Sequence, residues 1–170
     1  MARISQSTLT QIGGPDATVL TTVLQYPFIV SPALQMSTVD YCVSTYGGNP
    51  LQVPLNIANA TITAHIIRRT VTNYQDTRGG LSFDLSDYPG ATQITIPVTN
   101  IDTTEGLYNL VLDSSTWSIS PTDPNLAITS TTPLCFTGYV NLHFAAVGSQ
   151  PAFDQTYNLC FLVVGNGTTI

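Results

Sequence analysis

Lysine is missing from this 170-residue chain altogether. The four basic residues are all arginines, Arg3, Arg68, Arg69 and Arg78, and against ten Asp and Glu they leave a formal net charge of −6. Binding a nucleic-acid backbone takes several cations along one track, so that class of partner is excluded. Charged residues of either sign amount to 8%, where roughly 25% is usual for a soluble globular chain. Hydrophobic residues at 43% exclude a solvated, disordered chain. Polarity therefore rests on Ser, Thr, Asn and Gln. So few charges fit a surface partly covered by neighbours, as in an assembled particle or a Thr-rich secreted adhesin.

Other absences narrow the chemistry. No run reaches the ~20 apolar residues of a membrane helix, so no membrane partner is expected. The opening MARISQSTLTQIGG holds no apolar core of signal-peptide length. The expectation is a chain made in a cytoplasm and kept there until something releases it, and the sequons at Asn59 and Asn166 carry little weight. The cysteines, Cys42, Cys135 and Cys160, match no zinc-ligand spacing and each lies in an apolar run. They read as buried small hydrophobes, or as one disulfide with a spare thiol.

His65 and His143 have no ligand partner at suitable spacing, and no G-x-S-x-G elbow activates a serine. The pairs Gly13-Gly14, Gly47-Gly48 and Gly79-Gly80 open no helix, as a phosphate loop requires. Asp76, Asp87, Asp102, Glu105 and Asp123 fall in turns and suit Asx turns better than a glycosidase pair. Calcium through Asp84, Asp87, Asp102 or Glu105 lacks EF-hand spacing. The expectation is no catalytic residue, no cofactor and no metal: a protein that is not an enzyme.

What the chain does hold is alternation. In Tyr46–Val71, YGGNPLQVPLNIANATITAHIIRRTV, a Gly-Gly-Asn-Pro turn leads into Leu51, Val53, Leu55 and Ile57 at every second position. After a second turn at Asn56–Asn59, Ile62, Ala64 and Ile66 alternate with Thr61, Thr63, His65 and Arg69. Period two places one set inside and the other in water, and β-branched residues favour that pleated surface. Thr61–Val71 thus reads as a central strand with Ile62, Ala64 and Ile66 inward.

Further strands are expected at Val39–Tyr46, Leu81–Leu85, Gln93–Val98 (an edge, given its proline), Leu107–Leu112, Leu126–Thr131, Phe136–Val147 and Tyr157–Gly165. Asn73–Gly80, Ser86–Gly90, Asn100–Gly106 and Gly148–Gln155 read as loops or turns. Within the long connection Asp113–Asn125, Ser114–Ile119 suits one helical turn. About seven to nine short strands with turns roughly every 8–12 residues make an all-β sandwich.

The order of these elements resembles a family. Gly47 to Arg69, with Asn59-Ala60-Thr61-Ile62 where a glycine version usually stands, is similar to the opening of the Ig-like domains of bacteriophage tail and baseplate proteins. Asp102 to Gly106 followed by Leu107-Tyr108-Asn109-Leu110 is similar to that family's strand, turn and strand. Tyr139–Phe144 with Cys160–Val164 is similar to its last hairpin. The likeness covers Val39 to Gly165 and departs from the family in the longer Asp113–Thr132 connection and in the extra first 38 residues.

It implies an Ig-like antiparallel β-sandwich over residues 39–170 with an extended N-terminal arm over residues 1–38. It further implies a non-catalytic structural protein of a phage virion, made in the host cytoplasm. Such a protein is an assembly or adaptor component of tail, baseplate or fibre attachment, a homo-oligomer whose partners are other virion structural proteins. A capsid decoration (cement) protein is the variant reading. A carbohydrate- or receptor-binding module is the alternative of another class, with Trp117, Tyr74, Tyr88 and Tyr108 as a stacking platform; Trp117 could equally pin its long connection to the sandwich.

The arm carries the candidate assembly residues: Val19, Leu20, Val23, Leu24, Tyr26, Phe28, Ile29 and Val30. A sandwich starting at Val39 has little room for all of them, and left in water they form an apolar patch that monomers rarely expose. They would cover a neighbouring subunit, with Thr18–Gln25 as the domain's own first strand being the other possibility.

Overall fold

The computed structural model describes residues 5–10, 18–28, 34–37, 39–43, 50–78, 80–127 and 129–165. Among these residues the regular structure is β throughout, apart from one 3-10 turn at Pro124–Leu126. The strands are β1 (Ser5–Thr10), β2 (Thr18–Gln25), β3 (Leu34–Ser37), β4 (Val39–Val43), β5 (Pro50–Pro54), β6 (Ala60–Thr77), β7 (Gly80–Asp87), β8 (Ile94–Thr95), β9 (Val98–Asp102), β10 (Leu107–Leu110), β11 (Leu134–Phe144) and β12 (Phe153–Val164). No helix among them is long and apolar enough to cross a membrane.

The main sheet runs β1-β2-β12-β11-β6-β7, with β8 also pairing to β6. A three-stranded sheet, β3-β10-β9, and the hairpin β4-β5 complete the pairing. The chain is an all-β sandwich. One core holds Ala64, Ile66, Phe136, Val140, Leu142, Phe161 and Val163 from the main sheet together with Met36, Tyr108 and Leu110 from the small one. Ala64 and Ile66 are fully buried, as their alternation predicts, and Ile62 packs half-buried against them.

β11 and β12 are the centre. Their register is unbroken from Leu134 opposite Val163 to Phe144 opposite Phe153, and β11 continues across to β6 from Cys135 opposite Arg69 to Phe144 opposite Ala60. Leu159–Val164 is buried on both faces, which is why LCFLVV is a continuous apolar run rather than an alternating one. On the second face Cys135, Cys160, Leu162 and Val71 form a separate cluster with Val23, Tyr74, Leu81, Phe83 and Leu85 around it. Gly138 lies tight against the β6 backbone: a Cβ built there would lie 1.8 Å from the His65 carbonyl oxygen.

The N-terminal segment belongs to this sheet. β2 runs parallel to β12, Val19 opposite Asn158 through Gln25 opposite Val164, while every other strand pairing described is antiparallel. Leu24 and Phe28 are in the core, Tyr26 packs against it and Val23 packs against the second cluster. A division at Val39 would cut that ladder; of these four arm candidates Leu24 and Phe28 are buried within the chain, while Val23 and Tyr26 are half-buried. Val19 and Leu20 are described by their backbone pairing alone, and Ile29 and Val30 lie outside the described residues, as does the Gly47-Gly48-Asn49 turn.

Three local expectations need correcting. Asn73–Gly80 is mostly strand, because β6 continues to Thr77 and pairs with β7 across a bulge between Thr72 and Gln75. Asn73 takes a left-handed φ of 52° there, a conformation Asn tolerates, and its amide donates to Asp84 at 2.6 Å. Leu126–Thr131 is no strand: Asp123 caps the 3-10 turn by accepting from the Asn125 N–H at 3.0 Å, and Leu126 closes it. Ser114–Ile119 is a run of turns, opened by Asp113 accepting from the Ser115 N–H at 2.9 Å.

Candidate functional site

The aromatic platform suggested by sequence does not assemble. Trp117 is 2% exposed and meets Phe28, Phe136 and Phe161 edge-on, with ring centroids 5.0, 5.0 and 5.1 Å away. It plugs the end of the sandwich and pins the Asp113–Thr132 connection there. Tyr108 is fully buried in the same core. Tyr74 stacks on Phe83 in the second cluster, where burial and then Asp76 push its phenol above the ordinary value. Tyr88 lies at the surface under the Arg68 guanidinium, 4.0 Å from its ring centre.

The buried thiols Cys135 and Cys160 are free, with their sulfurs 3.8 Å apart. They stand diagonally across the β11–β12 ladder, since Cys135 faces Leu162 and Cys160 faces Thr137. The contact with the Cys160 sulfur, then burial, pushes the Cys135 thiol far above its usual range. Such a thiol stays protonated and unreactive. Cys42 lies in β4, where only the backbone pairing is described.

The carboxylates are dispersed. Asp102 makes the expected Asx turn, accepting at 3.0 Å from the Thr104 N–H and at 2.6 Å from its hydroxyl; that hydroxyl bond, then the Glu105 N–H, lowers its pKa. Asp87 pairs with Arg69 and Asp123 with Arg68 at 2.7 Å. Asp154 accepts from Asn141 at 3.1 Å and lies 2.9 Å from the His143 ring nitrogen, and those two contacts, Asn141 first, lower its pKa. Among the described residues no three of His, Cys, Asp and Glu gather as metal ligands.

Two surface features stand out instead. The first is a cleft of about 360 Å³ on the second face of the main sheet. Register builds it: His65 faces Tyr139 across β6–β11, Ile67 faces Thr137, and Asn158 of β12 faces Tyr139 from the other side. Arg69 closes one end and Gln93, just before β8, closes the rim. Tyr139 is 42% exposed, and its ring meets His65 edge-on at 5.9 Å, while the Thr95 hydroxyl sits 3.3 Å from the His65 Nδ1. Sequence reading had His65 alone on a wet strand face; its neighbours become visible only once β11 and β12 are in register.

The second feature is the β11–β12 hairpin tip, FAAVGSQPAF, whose ten residues Phe144 to Phe153 carry no charge. Phe144 and Phe153 stack with ring centroids 4.5 Å apart and planes 8° from parallel. Phe153 is 39% exposed and Val147, held in a bridge to Gln150, is 62% exposed.

These elements define an all-β sandwich domain with a lined cleft and an uncharged hairpin tip. No protein-family model matches the chain, and no curated protein matches it significantly.

Proposed function

We propose that this chain is a non-catalytic structural component of a bacteriophage virion, an assembly or adaptor element of the tail, baseplate or fibre attachment. The observation that carries the reading is the uncharged tip of the β11–β12 hairpin. A hairpin tip exposed from Ala145 to Phe153, with Val147 and Phe153 as its large apolar side chains and Ser149 and Gln150 as its polar ones, presents apolar area with no charge within it. Contact with another subunit removes that area from water, at roughly 25 cal/mol per Å² buried. The scarcity of charge over the whole chain supports the same reading, since a surface shared among neighbours needs few charges for solubility. The resemblance of Val39–Gly165 to phage tail and baseplate domains supplies the particle.

The experiment is to give Ala146→Glu and Val147→Glu together to the full chain, leaving the Phe144–Phe153 stack in place. The double variant is expected to keep the wild-type melting transition while losing self-association by light scattering and incorporation into particles made from the same source. A wild-type chain that stays monomeric at every concentration and is missing from those particles by mass spectrometry would overturn the reading.

A further inference from the structure

We infer that the cleft over β6, β11 and β12 binds a sugar ring that carries a carboxylate. The inference does not rest on the assembly reading; it comes from what lines the cleft. Its volume, about 360 Å³, is at the lower end of small-ligand sites, which suits one ring better than an extended chain.

The lining has donors and no anion. Arg69, His65, Gln93, Thr137, Tyr139 and Asn158 surround it, and neither Asp nor Glu does. Arg69 is the lining's permanent cation in a protein of net charge −6. One Nη of its guanidinium holds Asp87, which is not part of the lining, and the planar fork keeps further donors that match a carboxylate. A phosphate would ask for more cations than one shared arginine.

The remaining groups fit a polyol. Two amides and two hydroxyls both donate and accept, as vicinal hydroxyls require. Tyr139 offers a ring to the C–H face of a pyranose, held in place by its edge contact with His65. The floor beneath is backbone at Gly138 and the half-buried Ile67, so the ring can settle between strands rather than on top of side chains.

The test is titration of isotope-labelled full-length protein with glucuronic acid and with N-acetylneuraminic acid, read by backbone amide shifts, with glucose as the neutral control. Shifts at Gly138, Tyr139, Asn158 and His65 with an acid sugar, weak or missing with glucose, are expected. Tyr139→Ala, a change at an exposed side chain, is expected to weaken the binding by about tenfold, and Arg69→Gln to remove the preference for the acids. No shifts with either acid at millimolar concentration, equal shifts with glucose, or binding unmoved by Tyr139→Ala would each overturn the inference.

Discussion

Removing the Trp117 side chain is the sharpest test of how the long connection is held. The indole fills a box of three rings from separated parts of the chain: Phe28 just after β2, Phe136 on β11 and Phe161 on β12. Trp117→Ala empties that box at a position 2% exposed, and large-to-small changes of this kind cost about 3–5 kcal/mol. Against a total stability of roughly 5–15 kcal/mol, the loss takes a large share. Trp117→Phe keeps part of the edge-on packing and is expected to lose less.

Chemical denaturation followed by far-UV circular dichroism measures both variants. The wild-type protein adds its own probe, because Trp117 is the chain's one tryptophan. Its emission should be blue-shifted and slow to quench with acrylamide until the cooperative transition. A Trp117→Ala loss below about 1 kcal/mol, the size of an ordinary surface change, would refute the box. Wild-type fluorescence quenched as readily as free indole would refute it too.

Four further outcomes follow from the same contacts. Gly138→Ala drives a Cβ into the His65 carbonyl and should cost roughly 1–3 kcal/mol or more by denaturant titration, with cross-strand amides of β6 and β11 losing exchange protection. Asp123→Ala removes both the cap of the 3-10 turn and the partner of Arg68 and should cost about 1–3 kcal/mol, more than Asp123→Asn, by thermal melting. Asp154 has a folded pKa below its ordinary 3.8, so its contribution is complete above that value and is lost as pH falls through the lowered one; Asp154→Asn should flatten the melting temperature's decline in that acid window. Deleting residues 1–32 strips β2 from β12 and takes Leu24 and Phe28 from the core, so the truncated chain should lose its cooperative transition; a normally melting truncation would show the segment is dispensable.

Where side chains decide the structure, the sequence was readable. The inward set of β6 and the doubly buried Leu159–Val164 announce themselves by period and by apolar continuity. Where backbone pairing decides it, the sequence was silent. The far third of β6, Thr72 to Thr77, pairs with β7 away from the main core, so polar residues can fill it and a hydrophobicity pattern sees a loop. Leu126–Thr131 misled in the opposite way, because Leu126 reaches the core from a capped turn while Ala127 beside it is exposed. The arm stayed open between two readings, because nothing in TVLTTVLQ says that its neighbour is β12. The cleft was hidden for the same reason, since each of its residues is ordinary on its own strand and only cross-strand register makes them neighbours.

The parallel pairing of β2 with β12 also dictates an order of events. Leu20 lies opposite Leu159, so a ribosome must deliver almost the whole described chain before the first large strand can find its place. Until then the β1–β2 hairpin is an orphan ribbon and β12's site stands open. Closing so distant a pair is slow, and during the wait any passing ribbon of the right shape can take the seat, including the same hairpin from a sister chain. The fold thus carries a built-in window, from the making of β12 to the docking of β2, in which exchange between copies competes with completion of one.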